Sequence, residues 1–504
     1  MVRAMRDHEN RSQWLGMEVS MKNHEGKCHR LMLAALKSGS GKTTITCGLI
    51  RAMQERGNEL AVFKCGPDYI DPMFHAATLG VKTGNLDSYF LDRGSLQRLM
   101  KLRAGGADLT IIEGVMGYFD GLGGVTSRAS SAEVASWTDT PVLLIVDARG
   151  ASLTLVPMLR GIMEADLVRG AEDQEGPAGF SKAPHSMIRG ILLNRVSKSF
   201  YPTLKKLLEE ELGIPVVGYL PQNADLTVPS RHLGLYSPSE IADERSWADK
   251  IAACMKETVD LTAVDKIARE AKDLEETELD LPWDPICPAH EGNAVEPVRI
   301  AVAYDEAFSF VYRENEELLE RLGAEIVHIS PLHDEHFPQN VSGLILSGGY
   351  PELFARSLWK NEKFREELTS YVKAGLPTIA ECGGFLYLQK DLKDREECVT
   401  PMCGVFEGHG FATDHLVRFG YCEAQTSVDG LFGPAGTVLK GHEFHYYDTT
   451  ENGCGMHMRK PVGTHEWEAG IYNDHMAAGF PHFYYESNPS AAGAFLRACR
   501  KWKH

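Results

Sequence analysis

Short β-rich apolar runs at 31–36, 60–64, 109–113, 141–146, 188–193 and 215–219 alternate with stretches of helical period, the first near 42–56. That alternation predicts a mostly parallel sheet with helices on both faces. A second pattern of the same kind begins at Val298, with strands at 298–304, 325–329, 343–346 and 377–380 and helices near 312–322 and 361–374. Between the two, 260–297 opens with a charged helical pattern and ends Pro-rich at 281–288, and an earlier stretch, 169–184, is polar and aperiodic. The expected organisation is an unpacked extension over 1–29, an α/β unit over 30–255, a linker over 256–296 and a second α/β unit over 297–504. No repeat of solenoid period is present.

Composition narrows the classes. A chain of 504 residues is long enough for two cores. The formal net charge of −18 argues against a nucleic-acid or anionic-membrane surface, so a polyanionic ligand needs a local basic pocket. Eleven cysteines without paired C-x-x-C spacing suggest free thiols in a reducing cytoplasm. No run has the length of a membrane span, and 1–28 lacks the apolar core of a secretory signal. A cytoplasmic protein is expected.

In such a sheet, ligands sit beyond the carboxyl ends of the strands. After the first strand comes Lys37-Ser38-Gly39-Ser40-Gly41-Lys42-Thr43-Thr44, where glycines let backbone N–H groups turn inward toward phosphate oxygens. The helix that follows adds its own unpaired N–H groups and dipole. Lys42 is placed to neutralise outer phosphates and Thr43 to offer a hydroxyl to Mg²⁺. Leu36 stands where the usual pattern has its first glycine. A plain Ser/Gly turn rarely brings Gly-Lys-Thr after a buried strand, so nucleotide binding is the better reading. Lys37 is either a solvated lysine or the second lysine of one subclass of P-loop ATPases.

Two acidic loops end on the same edge. Gly66-Pro67-Asp68-Tyr69-Ile70-Asp71-Pro72 follows the strand ending at Lys64, and Glu113-Gly114-Val115-Met116-Gly117-Tyr118-Phe119-Asp120-Gly121 follows the next. Asp68 and Glu113 are candidates to complete Mg²⁺ coordination beside Thr43, because hard cations take oxygen ligands. Asp120 lies where it can meet an acceptor substrate. Asp147 is either functional or a helix cap. Asn194 is a candidate contact for the nucleotide base.

In the second unit, Cys382 sits on a strand-to-helix turn within Glu381-Cys382-Gly383-Gly384. That turn exposes a nucleophile, and a helix N-terminus lowers a thiol pKa. Gly348 and Gly349 of Ser347-Gly348-Gly349-Tyr350 are candidates for an oxyanion hole. The nucleophile needs a base, and His442, His445 and His482 follow.

These motifs, with Arg231-His232-Leu233-Gly234-Leu235, Pro351-Glu352, Gly441-His442-Glu443-Phe444-His445-Tyr446 and Ser487-Asn488-Pro489, resemble those of the cobyrinic acid a,c-diamide synthases, in order from about 30 to 490. The resemblance implies a dethiobiotin synthetase-like P-loop domain with a doubly wound sheet, followed by a flavodoxin-like class I glutamine amidotransferase domain. It implies a carbon–nitrogen ligase of cobalamin biosynthesis that uses ATP, Mg²⁺ and L-glutamine to amidate the a and c carboxylates of cobyrinate through acyl phosphates. By the same resemblance Lys64, Tyr69, Ile70, Asp71 and Asp120 line the substrate or intermediate site, and Lys37 to Thr44 with Asn194 bind ATP. Cys382 and His482 are then the catalytic pair. Ala35-Leu36 departs from the family's small pair before the loop. Tyr484 stands where class I amidotransferases carry the third triad acid, so His482 lacks its usual orienting partner. Ni-sirohydrochlorin and hydrogenobyrinate are alternative substrates, and the cobyric acid synthase reaction is disfavoured by Gly66 to Asp71. A ParA-like ATPase switch carrying a non-catalytic second domain is the alternative of another class. A homodimer is compatible with the chain, and no nucleic-acid or membrane partner is expected.

Overall fold

The computed structural model describes residues 29–167, 186–223, 244–274 and 296–502. The extension, the 169–184 segment, the Arg231 to Leu235 motif and the Pro-rich stretch lie outside the described residues.

Seven strands build the first sheet: β1 (His29–Ala35), β2 (Leu60–Cys65), β3 (Lys82–Leu86), β4 (Leu109–Glu113), β5 (Val142–Asp147), β6 (Ile188–Asn194) and β7 (Val216–Leu220). They pair in the order β3-β2-β4-β1-β5-β6-β7, all parallel. Strands β1 and β4 are buried almost throughout because each face carries a core, which is why they read as continuous apolar runs. The sequence pattern missed β3, whose Lys-Thr-Gly-Asn-Leu run has little apolar content.

The first unit continues beyond residue 255, where the linker was expected to begin. Helices at Glu244–Thr258 and Leu261–Ala268 lay Ile251, Met255, Val264 and Ile267 onto one face of this sheet. The charged pattern of the second helix is its outer face.

The second sheet holds β8 (Val298–Ala303), β9 (Ala324–Ile329), β10 (Gly343–Leu346) and β11 (Thr378–Glu381), completed by Met476–Gly479 and Ile471–Tyr472. Beyond β11 the chain turns to β-rich structure that the α/β pattern did not anticipate. A five-stranded antiparallel sheet includes Arg418–Thr426, Val438–His445, Met456–Arg459, Glu466–Ala469 and His482–Phe483.

The two units meet through buried polar and aromatic contacts. Strand β3 is an edge of the first sheet, and the helix at Arg313–Arg321 covers it. Glu314, 1% exposed, accepts the Asn85 backbone N–H at 2.9 Å and lies 3.6 Å from Arg103, which also pairs with Glu317 at 2.6 Å. Gly84 makes room for this, since a Cβ there would sit 2.5 Å from the Glu314 carboxylate. Farther along, the Tyr421 hydroxyl donates to buried Asp87 at 2.8 Å, and Phe90 stacks on Tyr484 with centroids 4.9 Å apart.

Replacing Glu314 with Ala leaves a buried N–H without its acceptor, so stability should fall by about 1–3 kcal/mol. A lower urea midpoint is expected, and an unchanged midpoint would contradict this account of the interface.

Candidate active sites

The P-loop takes its shape from positive φ at Gly39 (73°) and Gly41 (92°), and Gly41 starts the helix Lys42–Glu55. No acid occupies that helix's first turn, so nothing competes with a phosphate for its N–H groups. Asn194, at the end of β6, donates its amide to the Ser40 carbonyl at 2.8 Å, and its oxygen accepts the Arg195 N–H. It therefore braces the loop from beneath. Arg195 reaches the Gly39 carbonyl and pairs with Asp147 at 2.7 Å, which gives Asp147 a supporting role as well. Lys37 and Ser38 are exposed on the outer edge of the loop.

Glu113 is fully buried at the end of β4 and gathers three other elements to it. Its Oε1 accepts from the Thr43 hydroxyl at 2.8 Å and from Lys64 Nζ at 2.9 Å, and its Oε2 lies 2.9 Å from His75 Nε2. Lys64 also binds Asp71 at 2.6 Å. Burial opposes charge on Glu113, but Lys64 and His75 outweigh it and hold the carboxyl well below its ordinary value. Burial likewise opposes the Lys64 charge, and Asp71 and Glu113 outweigh it. His75 escaped the sequence reading, although it sits four residues after Asp71 and so on the same helical face.

Lys42 donates to the Met116 carbonyl, and burial with the nearby Lys64 charge pulls its pKa down to about 8, against the pull of Glu113, Asp71 and Asp120. Asp68 accepts the Ile70 and Asp71 N–H groups through Oδ1. Burial and the Asp71 charge push its carboxyl up to about 6. Asp120 is exposed, and its Oδ2 accepts the Gly117 N–H at 2.9 Å. The structure thus gathers Lys42, Thr43, Lys64, Asp68, Asp71, Glu113 and Asp120 around one edge of the sheet.

Hard oxygen donors at Thr43, Asp68 and Glu113 fit Mg²⁺. No cluster of three or more His, Cys, Asp or Glu residues arranged to hold a metal occurs among the described residues.

The second site is built at the end of β11. Cys382 adopts φ 49°, ψ −103°, a sparsely populated conformation for a non-glycine residue, and its N–H bonds the Gly479 carbonyl at 2.7 Å. It caps the short helix Gly383–Leu388, whose close approach to β10 requires glycine. A Cβ on Gly384 would lie 2.2 Å from the Leu346 carbonyl, and one on Gly383 would lie 2.9 Å from the Gly349 nitrogen. The Gly348–Gly349 turn thus adjoins the helix that carries the thiol. On its other side is His482, whose Cε1 would be 2.1 Å from a Cβ on Gly348.

The thiol departs from expectation. Burial and the nearby carboxyls of Glu352, Glu443 and Glu381 push Cys382 up, outweighing the Gly383 N–H that pulls it down. It rests as a thiol and needs a base. Burial, with His442 and His445, pulls His482 down to about 3, so its imidazole rests neutral.

His482 Nδ1 is buried without a hydrogen bond among the described residues and lies 4.0 Å from Glu381 Oε2. Glu381, the residue before the nucleophile, accepts the Phe483 N–H at 3.2 Å and is pushed up to about 8, chiefly by burial. It is the carboxyl beside His482, a position the His-x-Glu spacing could not reveal because Glu381 lies on another strand. Tyr484, at the usual acid position, is spent on the Phe90 stack. His442 pairs with His482 across the sheet, and His445 stacks on Phe480 at 3.9 Å.

The two sites touch. The Tyr69 ring, between Asp68 and Asp71, lies 5.2 Å from the His482 ring and packs on Phe310 and Tyr312 at 5.5 and 4.4 Å.

Comparison with known proteins agrees with both halves. Residues 31–235 match a CobQ/CobB/MinD/ParA nucleotide binding domain, and 299–490 match a CobB/CobQ-like glutamine amidotransferase domain. A cobyrinate a,c-diamide synthase of Caldanaerobacter subterraneus subsp. tengcongensis is 34% identical over 475 residues, covering 94% of this chain and 98% of the relative. One from Salmonella typhimurium is 35% identical over 479 residues, with the same coverage of each. The chain belongs to the cobyrinate a,c-diamide synthase family. Among solved structures, PurLQS from Thermotoga maritima aligns with 41% of this chain and 98% of its own, at 17% identity and a TM-score of 0.30, too slight a likeness to carry an argument. No helix among the described residues is long and apolar enough to cross a membrane.

Lys42 loses its charge as pH rises through about 8. The KM for ATP should therefore climb above that pH while the KM for glutamine does not follow. A flat ATP profile to pH 9 would show that Lys42 is not the titrating phosphate contact.

Proposed function

We propose that the protein transfers the amide nitrogen of glutamine to the a and c side-chain carboxylates of cobyrinate, at the expense of ATP. The observation that carries this is the contact between a P-loop site and a cysteine site through Tyr69 and His482.

A carboxylate is a poor electrophile until one oxygen becomes a leaving group. In the first site the loop N–H groups and Lys42 hold the ATP phosphates, and a carboxylate oxygen of the substrate takes the γ-phosphoryl group, giving an acyl phosphate and ADP. Thr43, Asp68 and Glu113 would hold Mg²⁺, which when bound offsets phosphate charge. Asp71 and Asp120 orient the acceptor, with Lys64 fixing Asp71.

In the second site neutral His482 accepts the Cys382 proton as sulfur attacks the glutamine carboxamide. The Gly348–Gly349 turn supplies N–H groups to the developing oxyanion. His482 returns the proton to the departing nitrogen, ammonia leaves, and water hydrolyses the glutamyl thioester to glutamate. Glu443, buried with neither carboxyl oxygen bonded among the described residues, offers a partner to the glutamine ammonium. Ammonia freed beside His482 has the Tyr69 loop as its neighbour. There it attacks the acyl phosphate and expels phosphate, leaving the amide.

The two half-reactions should separate by mutation. Cys382→Ser should lose glutamine-dependent amidation and retain amidation with ammonium salts. Lys42→Ala should lose ATP-dependent amidation by about 10²-fold or more while glutaminase activity persists. Loss of ammonia-dependent turnover in Cys382→Ser, or equal loss of both activities in Lys42→Ala, would overturn the division. Product masses from cobyrinate, hydrogenobyrinate and Ni-sirohydrochlorin, each supplied alone, test the substrate.

A further inference from the structure

A cavity of about 480 Å³ lies where the loops after β3 and β4 face the five-stranded sheet of the second unit. Its volume is that of a small-molecule site. The first unit contributes Tyr89, Arg128 and Trp137, and the second contributes Lys440, Arg459 and Lys460. No residue of the P-loop and neither Cys382 nor His482 borders it.

The charge of this hollow runs against that of the chain. Glu423 pairs with Arg459 and Glu466 lies 3.5 Å from His457, while Glu133, bonded only to the neutral Ser88 hydroxyl and the Ala129 N–H, keeps its charge and is outnumbered by cations. Three cations have no carboxylate within ion-pair distance among the described residues. Arg128 is exposed, and its guanidinium has no partner there. Lys440 donates to the Tyr89 carbonyl at 2.6 Å and lies 5.0 Å over that residue's ring. Lys460 donates to the Phe419 carbonyl at 2.8 Å and lies 5.4 Å over the Trp467 ring. In a chain of net charge −18, three uncompensated cations around one hollow mark a site for an anion. The partly exposed Trp137 side chain stands in the same wall and brings apolar surface to it.

Position supplies the rest. Leu122, in the cavity wall, is two residues past Asp120, and Ser88 follows Asp87 at the interface. Gly123 approaches Val462 of the second unit, so this wall is closed from both sides. A large ligand seated here can extend one peripheral carboxylate along the Asp120 loop toward the P-loop edge while its other carboxylates stay on the cations.

We infer that this cavity seats the macrocycle of a polycarboxylate tetrapyrrole, held by Arg128 of the first unit and by Lys440 and Lys460 of the second. The inference rests on the amidation reading for the identity of its ligand. It adds that the amidotransferase unit binds the acceptor as well as making ammonia. Both units must then be docked for the acceptor to bind.

The test uses the full-length protein and Arg128→Ala, Lys460→Ala and the double variant, with cobyrinate as the probe. The KM for cobyrinate should rise about tenfold or more in the double variant, since each loss removes a charge-assisted contact. The KM for glutamine and the KM for ATP, measured on the same preparations, should stay within about twofold, which also reports that the variants fold. Cobyrinate should quench the fluorescence of the wild type, and the quench should shrink in Trp137→Phe and shift to higher concentration in the double variant. If the wild type forms the diamide while the double variant keeps the wild-type KM and quench, the cavity assignment is overturned and the amidation reading stands. If no amide forms yet quenching depends on Arg128 and Lys460, the cavity assignment stands and the amidation reading fails. Absence of both amide and quench overturns both.

Discussion

The buried contact between Glu113 and Lys64 fixes the geometry on which both sites depend. A carboxylate with no exposed surface is unfavourable unless paired and hydrogen-bonded. Glu113 meets that need with Thr43 from the P-loop helix, Lys64 from β2 and His75 from the following helix. Each partner is thereby held to the end of β4. Lys64 in turn holds Asp71, and Asp71 lies two residues from Tyr69. One charged cluster thus sets the nucleotide loop and aims the aromatic residue that meets the second unit.

At that meeting point the chemistry of the two halves becomes one arrangement. Tyr69 packs against His482, and the Phe90–Tyr484 stack and the Asp87–Tyr421 hydrogen bond lie around it. A third triad acid in the position of Tyr484 would put a carboxylate among these rings. The chain instead has Glu381 next to Cys382 in sequence and 4.0 Å from His482 in space. The basic cavity spans the same seam, so under the proposed assignment acceptor recognition would share it with domain docking and the approach between the two sites.

Much of this was legible in the sequence wherever a local rule decided it. The alternating strands and helices, the glycine-shaped P-loop, the acidic loops and the Cys382 turn follow from short-range patterns, and the structure has them where those patterns put them. Strand β3 was missed because an edge strand covered by another unit needs no apolar run. The β-rich part after β11 was missed because its sheet is half-buried and interrupted by loops. The bond from the Asn194 amide to the Ser40 carbonyl, at the close approach of Gly41, joins residues far apart in sequence. The raised Cys382 thiol, the Glu381 contact and the clustering of Arg128, Lys440 and Lys460 depend on residues distant in sequence, and no spacing rule reaches them.

The account's central claim is that nitrogen passes from the cysteine site to the P-loop site within one molecule. The most direct measurement supplies cobyrinate, ATP and glutamine labelled with ¹⁵N at its amide, in the presence of unlabelled ammonium, followed by mass analysis of the product. The account predicts a diamide carrying ¹⁵N at both new amides. A product bearing only unlabelled nitrogen, or glutamine hydrolysed with no amide formed, would contradict it.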